Sequence, residues 1–289
     1  MPKALLTGAS GFTGRVLARE LLARGVQVEA LRSDLTDKDA LMQEVQAIAP
    51  DWVIHLGALT FVADTDVMAF YRVNVLGTEN LLAALASLQQ LPERILVASS
   101  ANIYGVPAVE LIDEQVLPAP VNHYACSKLV MEHVLVPWFE RLPIVITRPF
   151  NYTGLGQDER FLIPKIVGHF VRRAAWIELG NLDVSRDFSD VRDVVAAYIA
   201  LLESDVVGVK VNVCSGRAIS LRAVLEYMQQ LAGFSLEVRV NPALVRANEI
   251  PQLRGSNQLL TQLVGYTPKI PFLQTLESMY RGGLLCTQN

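Results

Sequence analysis

The sequence predicts an α/β fold, a doubly wound parallel sheet followed by a smaller, less regular C-terminal lobe. Three observations predict it. Strand and helix patterns alternate through the first half, the strands are apolar along their whole length, and a glycine-rich turn joins the first strand to the first helix. A strand that is apolar on both sides has both faces covered, which a parallel sheet between two helix layers provides.

Lys3–Thr7 reads as a short apolar strand. Phe12–Arg24 reads as a helix with Val16, Leu17, Leu21 and Leu22 on one side, stopped by Gly25. Val26–Leu31 and Trp52–Leu56 read as strands around a helix over Lys38–Ile48. A helix over Asn74–Leu88, a strand over Arg94–Ser99, a helix over Tyr124–Phe139 and a strand over Ile144–Thr147 complete the alternation.

One feature departs from a regular Rossmann-type half. From Leu31 the chain passes through Asp34-Leu35-Thr36-Asp37 straight into the next helix, where another strand is usual. In the strand order 3-2-1-4-5-6 that strand lies at the sheet edge, so its loss predicts a trimmed edge and an intact centre. After Pro149 the pattern weakens. Phe161–Arg173, Val191–Leu202 and Leu221–Ala232 read as helices and Lys210–Val213 as a strand, with Pro242, Pro251, Pro268 and Pro271 toward the end.

Composition excludes several classes. At 289 residues, with 51% hydrophobic and 19% charged, the chain can build a large core and has no disordered signature. A net charge of -4 argues against a general nucleic-acid binder, which needs a basic face. Cys126, Cys214 and Cys286, odd in number and far apart, suggest reduced thiols. No C-x-x-C or H-E-x-x-H spacing offers a metal site. The first strand starts without a basic leader, and the longest strongly apolar run, Val194–Leu202, is short of the roughly 20 residues a bilayer requires. A cytoplasmic protein with no membrane partner is expected.

Gly8-Ala9-Ser10-Gly11-Phe12-Thr13-Gly14 lies at the first strand–helix junction. Glycines there permit a tight turn and close backbone approach, and the helix N-terminus offers free N–H groups to a dinucleotide pyrophosphate. The spacing is G-x-x-G-x-x-G rather than G-x-G-x-x-G. The second strand ends at Leu31-Arg32, where an acidic residue would hold an NAD ribose. An arginine there can accept the extra phosphate of NADP, which leans the choice mildly to NADP over NAD; a simply solvated arginine is the competing reading. Asp34 and Leu35 are expected to flank the adenine.

Tyr124 and Lys128 stand four apart on a helix, hence on one face. Ser99-Ser100 follow an apolar strand, where such sheets carry their active sites. The three residue types suit carbonyl reduction. The phenol protonates the new alkoxide, a nearby ammonium lowers the phenol's pKa, and a serine hydroxyl polarises the carbonyl. His55, His123, His133 and His169 are read as structural. Asp190 and Asp193 are read as the capped start of a helix.

The glycine turn, Ser-Ser-Ala-Asn-Ile-Tyr-Gly at 99–105, Tyr124-x-x-x-Lys128 and Arg148-Pro149-Phe150-Asn151 together resemble the extended short-chain dehydrogenase/reductase family of sugar-nucleotide epimerases, dehydratases and reductases. His55-Leu56-Gly57-Ala58 and Asn74-Val75-Leu76-Gly77-Thr78 fit it as well. The resemblance implies Tyr124 as acid/base, Lys128 on the nicotinamide ribose and Ser100 on the substrate carbonyl. It implies a cofactor site that includes Leu56, Gly57, Ala58 and Asn74. It divides the chain into an NAD(P)-binding Rossmann domain, residues 1–150 with a returning segment at about 187–215, and a nucleotide-sugar-binding lobe, residues 151–186 and 216–289. A homodimer is implied, with the helices around Asn74–Leu88 and Tyr124–Phe139 pairing across a two-fold axis.

Residues 180–188 with Asp190-Val191-Arg192-Asp193-Val194, the run Asn212–Gly216, and Arg246-x-x-Glu249-x-Pro251 are similar to the GDP-4-keto-6-deoxy-D-mannose reductases. That likeness implies Asn151, Arg186 and Arg246 near the diphosphate and Glu249 on the nucleotide ribose, roles that guanidinium forks and a carboxylate suit. Dehydratases of the family carry a Glu two residues before the Tyr-Gly. Here that place, beside the substrate, is Asn102, which argues against water removal. The expected activity is NAD(P)H-dependent reduction of a 4-keto group to GDP-D-rhamnose or GDP-6-deoxy-D-talose. A nucleotide-sugar 4-epimerase with tightly held NAD, or a non-catalytic dinucleotide sensor, are the rival readings.

Overall fold

A computed structural model describes residues 1–60, 66–245 and 252–286. The first half runs β1 (Lys3–Thr7), α1 (Phe12–Ala23), β2 (Gln27–Ala30), α2 (Lys38–Ile48), β3 (Trp52–His55), α3 (Val67–Tyr71), α4 (Gly77–Ala86), β4 (Arg94–Ala98), α5 (His123–Leu135) and β5 (Ile144–Pro149). The second half runs β6 (Asn151–Thr153), α6 (Leu162–Val171), β7 (Trp176–Leu179), β8 (Ser185–Asp190), α7 (Val191–Leu202), β9 (Val209–Val213), β10 (Ala218–Ser220), α8 (Leu221–Ala232), β11 (Glu237–Val240), β12 (Gln252–Leu253), α9 (Gln258–Val264) and α10 (Phe272–Cys286).

Six strands form a wholly parallel sheet in the order β2-β1-β3-β4-β5-β9. The centre is intact and β2 is the edge, as the missing strand predicts. Successive side chains of a strand point to opposite faces. Leu5, Val53, Ile95 and Ile146 therefore enter the apolar layer under α2, α4 and α5. Their neighbours Leu6, Ile54, Leu96 and Val145 enter the layer under α1 and α7. Each such fully buried aliphatic side chain stabilises the fold by about 1.5–3 kcal/mol, which is why these strands tolerate no polar alternation.

A second apolar cluster lies beyond the sheet, built from Phe170, Leu179, Phe188, Met228, Leu276 and Tyr280. Its small sheets pair β8 with β6, β10 and β12, and β7 with β11. The rings of Phe188 and Phe272 stack at 5.0 Å, fastening α10 to β8.

Two helices differ from the predicted pattern. The helix expected over Tyr124–Phe139 leaves α geometry at Leu135 and continues as a 3-10 turn over Val136–Glu140. Pro137 has no N–H for an α-helical bond, so the helix tightens there. The helix expected over Asn74–Leu88 starts earlier, and residues Arg72–Leu76 form a π-helical turn between α3 and α4. No helix among the described residues is long and apolar enough to cross a membrane.

Candidate active site

A cleft of about 1120 Å³ opens at the carboxyl ends of β1, β3, β4 and β5 and reaches into the second cluster. Open α/β sheets bind their ligands in this place. Gly8, Ser10, Gly11, Phe12, Thr13 and Gly14 form one wall. Gly8 has φ +69°, and a Cβ there would lie 2.9 Å from the Gly57 nitrogen. A Cβ at Gly14 would lie 2.2 Å from the Gly8 carbonyl oxygen. Both glycines are therefore required by the turn's own packing. The first N–H groups of a helix have no intrahelical acceptor. In α1 no side chain caps them and no acid sits in the first turn. That donor set fits a pyrophosphate.

Asn122 caps α5 by accepting from the Ala125 amide at 2.9 Å. This sets Tyr124, Lys128 and Glu132 on one buried helical face, each a turn beyond the last. Tyr124, Lys128, Ser99 and Ser100 all line the cleft. Burial pushes the Tyr124 phenol up to about 12, and a hydrogen bond with Ser100 works against that rise. Lys128 donates from Nζ to the Ala98 carbonyl at 2.8 Å. Burial brings its ammonium down to about 8, opposed by the nearby Glu132 carboxylate. The lowering of the phenol by the ammonium, expected from spacing, is thus not the ruling effect: burial is. Ser100 caps the turn Ala101–Tyr104, accepting from the Asn102 amide at 3.2 Å.

Beneath the pair lies a buried polar network that the sequence did not reveal. Arg148 donates from Nε and Nη2 to the two oxygens of Glu132 at 2.9 and 2.7 Å, and from Nη1 to the Tyr104 hydroxyl at 2.9 Å. Tyr104 in turn donates to Asn212 Oδ1 at 2.8 Å. The network ties β5, β9 and the Ser100 turn to α5, beneath the residues expected to react.

Leu56, Gly57 and Ala58 form the opposite wall. Asn74 does not line the cleft as expected. Its amide is buried and grips Leu59, Oδ1 accepting from N at 2.9 Å and Nδ2 donating to O at 3.1 Å, with a further bond to Ser127 Oγ. It supports the wall from behind, inside the π turn. His55 bridges the Thr7 and Thr78 hydroxyls at 2.7 and 2.9 Å and is pushed down to about 3 by burial, so it is neutral and structural. Leu35 packs under Gly57 and Gly77. Arg32 and Asp34 are exposed on the loop after β2, outside the main cleft.

On the far side the cleft is lined by Asn102, Asn151 and Arg186. Asn151 Nδ2 lies 3.5 Å from the Asp187 carbonyl, and Arg186 Nη1 donates to the Ser185 carbonyl at 3.0 Å. Arg246, Glu249 and Pro251 lie outside the described residues. Several cleft residues went unforeseen. Tyr152 shares a hydrogen bond with Thr13 Oγ1 at 2.9 Å and stacks on Phe12. Lys165 and Glu178 line the distal end, with Lys165 Nζ donating to the Glu178 carbonyl at 2.7 Å. Asp187, fully buried behind the cleft and not part of its lining, accepts from the Ser215, Gly216 and Gly255 amides at 2.9, 2.9 and 3.2 Å. Of the cleft residues, only Tyr152 carried a hint, its place directly after Asn151 in β6, just beyond β5.

A glycine turn opening on an uncapped helix, facing a Tyr–Lys pair with a serine beside the phenol, defines an NAD(P)-dependent oxidoreductase of the short-chain type. Residues 27–279 match the profile of the family described as GDP-mannose 4,6 dehydratase. The chain belongs to this family of extended short-chain dehydrogenase/reductases. It is 36% identical to the GDP-6-deoxy-D-talose 4-dehydrogenase of Aggregatibacter actinomycetemcomitans, over 98% of each chain. It is 35% identical to the GDP-6-deoxy-D-mannose reductase of Pseudomonas aeruginosa, over 96% of this chain and 95% of the other. The structure of RMD from Pseudomonas aeruginosa complexed with NADPH superposes with a TM-score of 0.91 at 33% identity, covering 99% of this chain and 100% of that one. The UDP-glucose 4-epimerase of Thermus thermophilus, complexed with NAD, gives 0.87 at 28% identity over 97% and 98%.

Proposed function

We propose that the protein reduces the 4-keto group of a nucleotide-linked 4-keto-6-deoxy sugar, with GDP-4-keto-6-deoxy-D-mannose as substrate and GDP-D-rhamnose or GDP-6-deoxy-D-talose as product. The observation that carries this reading is the convergence of Tyr124, Ser100 and Lys128 on one cleft with the glycine turn. The names of the two full-length relatives support the GDP sugar. Asn102, which lines the cleft, offers no carboxylate to take up a proton, which disfavours a dehydratase.

The first-turn amides of α1 would hold the pyrophosphate of a reduced dinucleotide and Lys128 its nicotinamide ribose, and the group when bound would supply the hydride for C4. Ser100 donates to the keto oxygen and lowers the cost of the charge that gathers there. Tyr124 gives that oxygen its proton; at about 12 the phenol is fully protonated at neutral pH and ready to donate. Asn151 and Arg186 fix the diphosphate, so binding energy from the nucleotide places the keto carbon. We assign this nucleotide-sugar role to residues 151–186 and 216–289, and the cofactor role to residues 1–150 with the segment at about 187–215.

The test is direct. The protein is mixed with GDP-4-keto-6-deoxy-mannose and NADH or NADPH, cofactor oxidation is followed, and the product is identified by NMR. Stoichiometric oxidation with a 4-hydroxy product is expected. Turnover of a UDP- or dTDP-linked keto sugar in its place would overturn the GDP assignment. Likeness to NAD-bound UDP-glucose 4-epimerases supports a second reading, a 4-epimerase. It would carry NAD through gel filtration and consume none.

The protein is further proposed to act as a homodimer. Leu76, Val130 and Val136 are exposed apolar residues of the π turn, α5 and the turn after it, around a groove lined by Val75, Pro137 and Trp138. A monomeric mass in light scattering would refute it.

A further inference from the structure

The lean toward NADP rests on Arg32 alone, and the structure sets a carboxylate against it. Because α2 follows β2 with no strand between, Glu44 returns over the end of β2. Its Oε1 accepts from the Arg32 amide at 2.9 Å and its Oε2 from the Ser33 amide at 2.7 Å. Both backbone donors of that corner are thereby taken. Burial of the carboxylate is outweighed by hydrogen bonds from Ser33 and Arg32, which hold Glu44 below its ordinary value.

The surrounding charge has the same sign. Between Leu31 and Glu44 the chain carries Arg32 and Lys38 against Asp34, Asp37, Asp39 and Glu44. Asp34 is exposed and is held ionised by the Thr36 amide and hydroxyl, each donating to Oδ1. In a Rossmann-type sheet the adenosine ribose lies at the end of the second strand. A 2′-hydroxyl there is a donor that a carboxylate accepts. A 2′-phosphate is an acceptor-only dianion that needs free donors and cations.

Resting on the dinucleotide site described above, we propose that Glu44 is a specificity-determining residue, delivered from α2 rather than from β2, that disfavours the 2′-phosphate and makes NAD(H) the working cofactor. The acid that a longer second strand would have carried at its own end is supplied in space by the next helix.

The test uses the full chain and needs no sugar. Dissociation constants for NADH and NADPH are measured by fluorescence titration of the wild type, Glu44→Gln, Glu44→Ala and Arg32→Ala. The wild type is expected to bind NADH about tenfold or more tighter than NADPH, and either Glu44 variant to shift the ratio toward NADPH by about tenfold. Arg32→Ala is expected to widen the gap. The inference is overturned if the wild type binds NADPH as tightly as NADH, or if both Glu44 variants leave the ratio within about twofold. Equal binding with intact reductase turnover removes this inference alone. Binding of neither cofactor removes the oxidoreductase reading with it.

Discussion

Glu132 and Arg148 form a two-pronged ion pair with side chains 0% and 4% exposed, one helical turn past Lys128. Removing one partner strands the other charge in the core. Glu132→Gln should lower unfolding stability by about 3–5 kcal/mol, read from urea denaturation. A Glu132→Leu, Arg148→Met double variant should lie closer to the wild type than either single change. Additive losses would show that the two residues act separately.

In the proposed mechanism, Tyr124→Phe removes the proton donor and little else. Its kcat should fall by about 10²–10⁴-fold, with NADH affinity and melting temperature nearly unchanged. A loss confined to KM would mean that the phenol only binds substrate.

In the proposed mechanism, Lys128 sets the alkaline limit. Its ammonium, brought down to about 8 by burial, is charged below that pH and neutral above it. The reductive rate should be level at lower pH and fall as pH rises through about 8. Lys128→Met should be slower and lose that limb. A profile whose fall begins only near pH 10 would separate Lys128 from the reaction.

His55 sets the acid limit of the fold. Burial holds it down to about 3, against 6.5 in an open chain. The unfolded state therefore takes up the proton first. The stability His55 contributes is whole above about pH 6.5 and is lost as pH falls toward 3. Wild-type stability should drop by about 2–3 kcal/mol between pH 7 and pH 4.5 from this group, and His55→Gln should show a shallower decline in urea melts at the two pH values.

The sheet was legible because its strands are apolar on both sides, as Leu5 with Leu6 and Ile95 with Leu96 show by entering opposite layers. The glycine turn, Tyr124 and Lys128 were legible for a similar reason: the chemistry lies in short runs or one helical spacing. The Glu132–Arg148 pair and the Asp187 clamp join distant segments, and nothing in local spacing announces them. Asn74 was expected at the cofactor site from the family motif, and its amide instead grips Leu59 from within a π turn, a local geometry that a sequence motif does not record. The short strands of the second cluster, such as β12 with two residues, fall below what alternation can register.

The shortcut after β2 also leaves an outer rim on the large sheet. β2 pairs with β1, and its other side faces outward at the end of the strand order. A bare rim of backbone donors and acceptors invites a stray strand from another molecule. Here Gln27 and Glu29 stand along it, with Gln27 Nε2 donating to Glu29 Oε1 at 2.7 Å. Their polarity and charge act as a guard rail. The chain that shed a strand kept, in the strand left outermost, a sequence poorly suited to cross-molecular stacking.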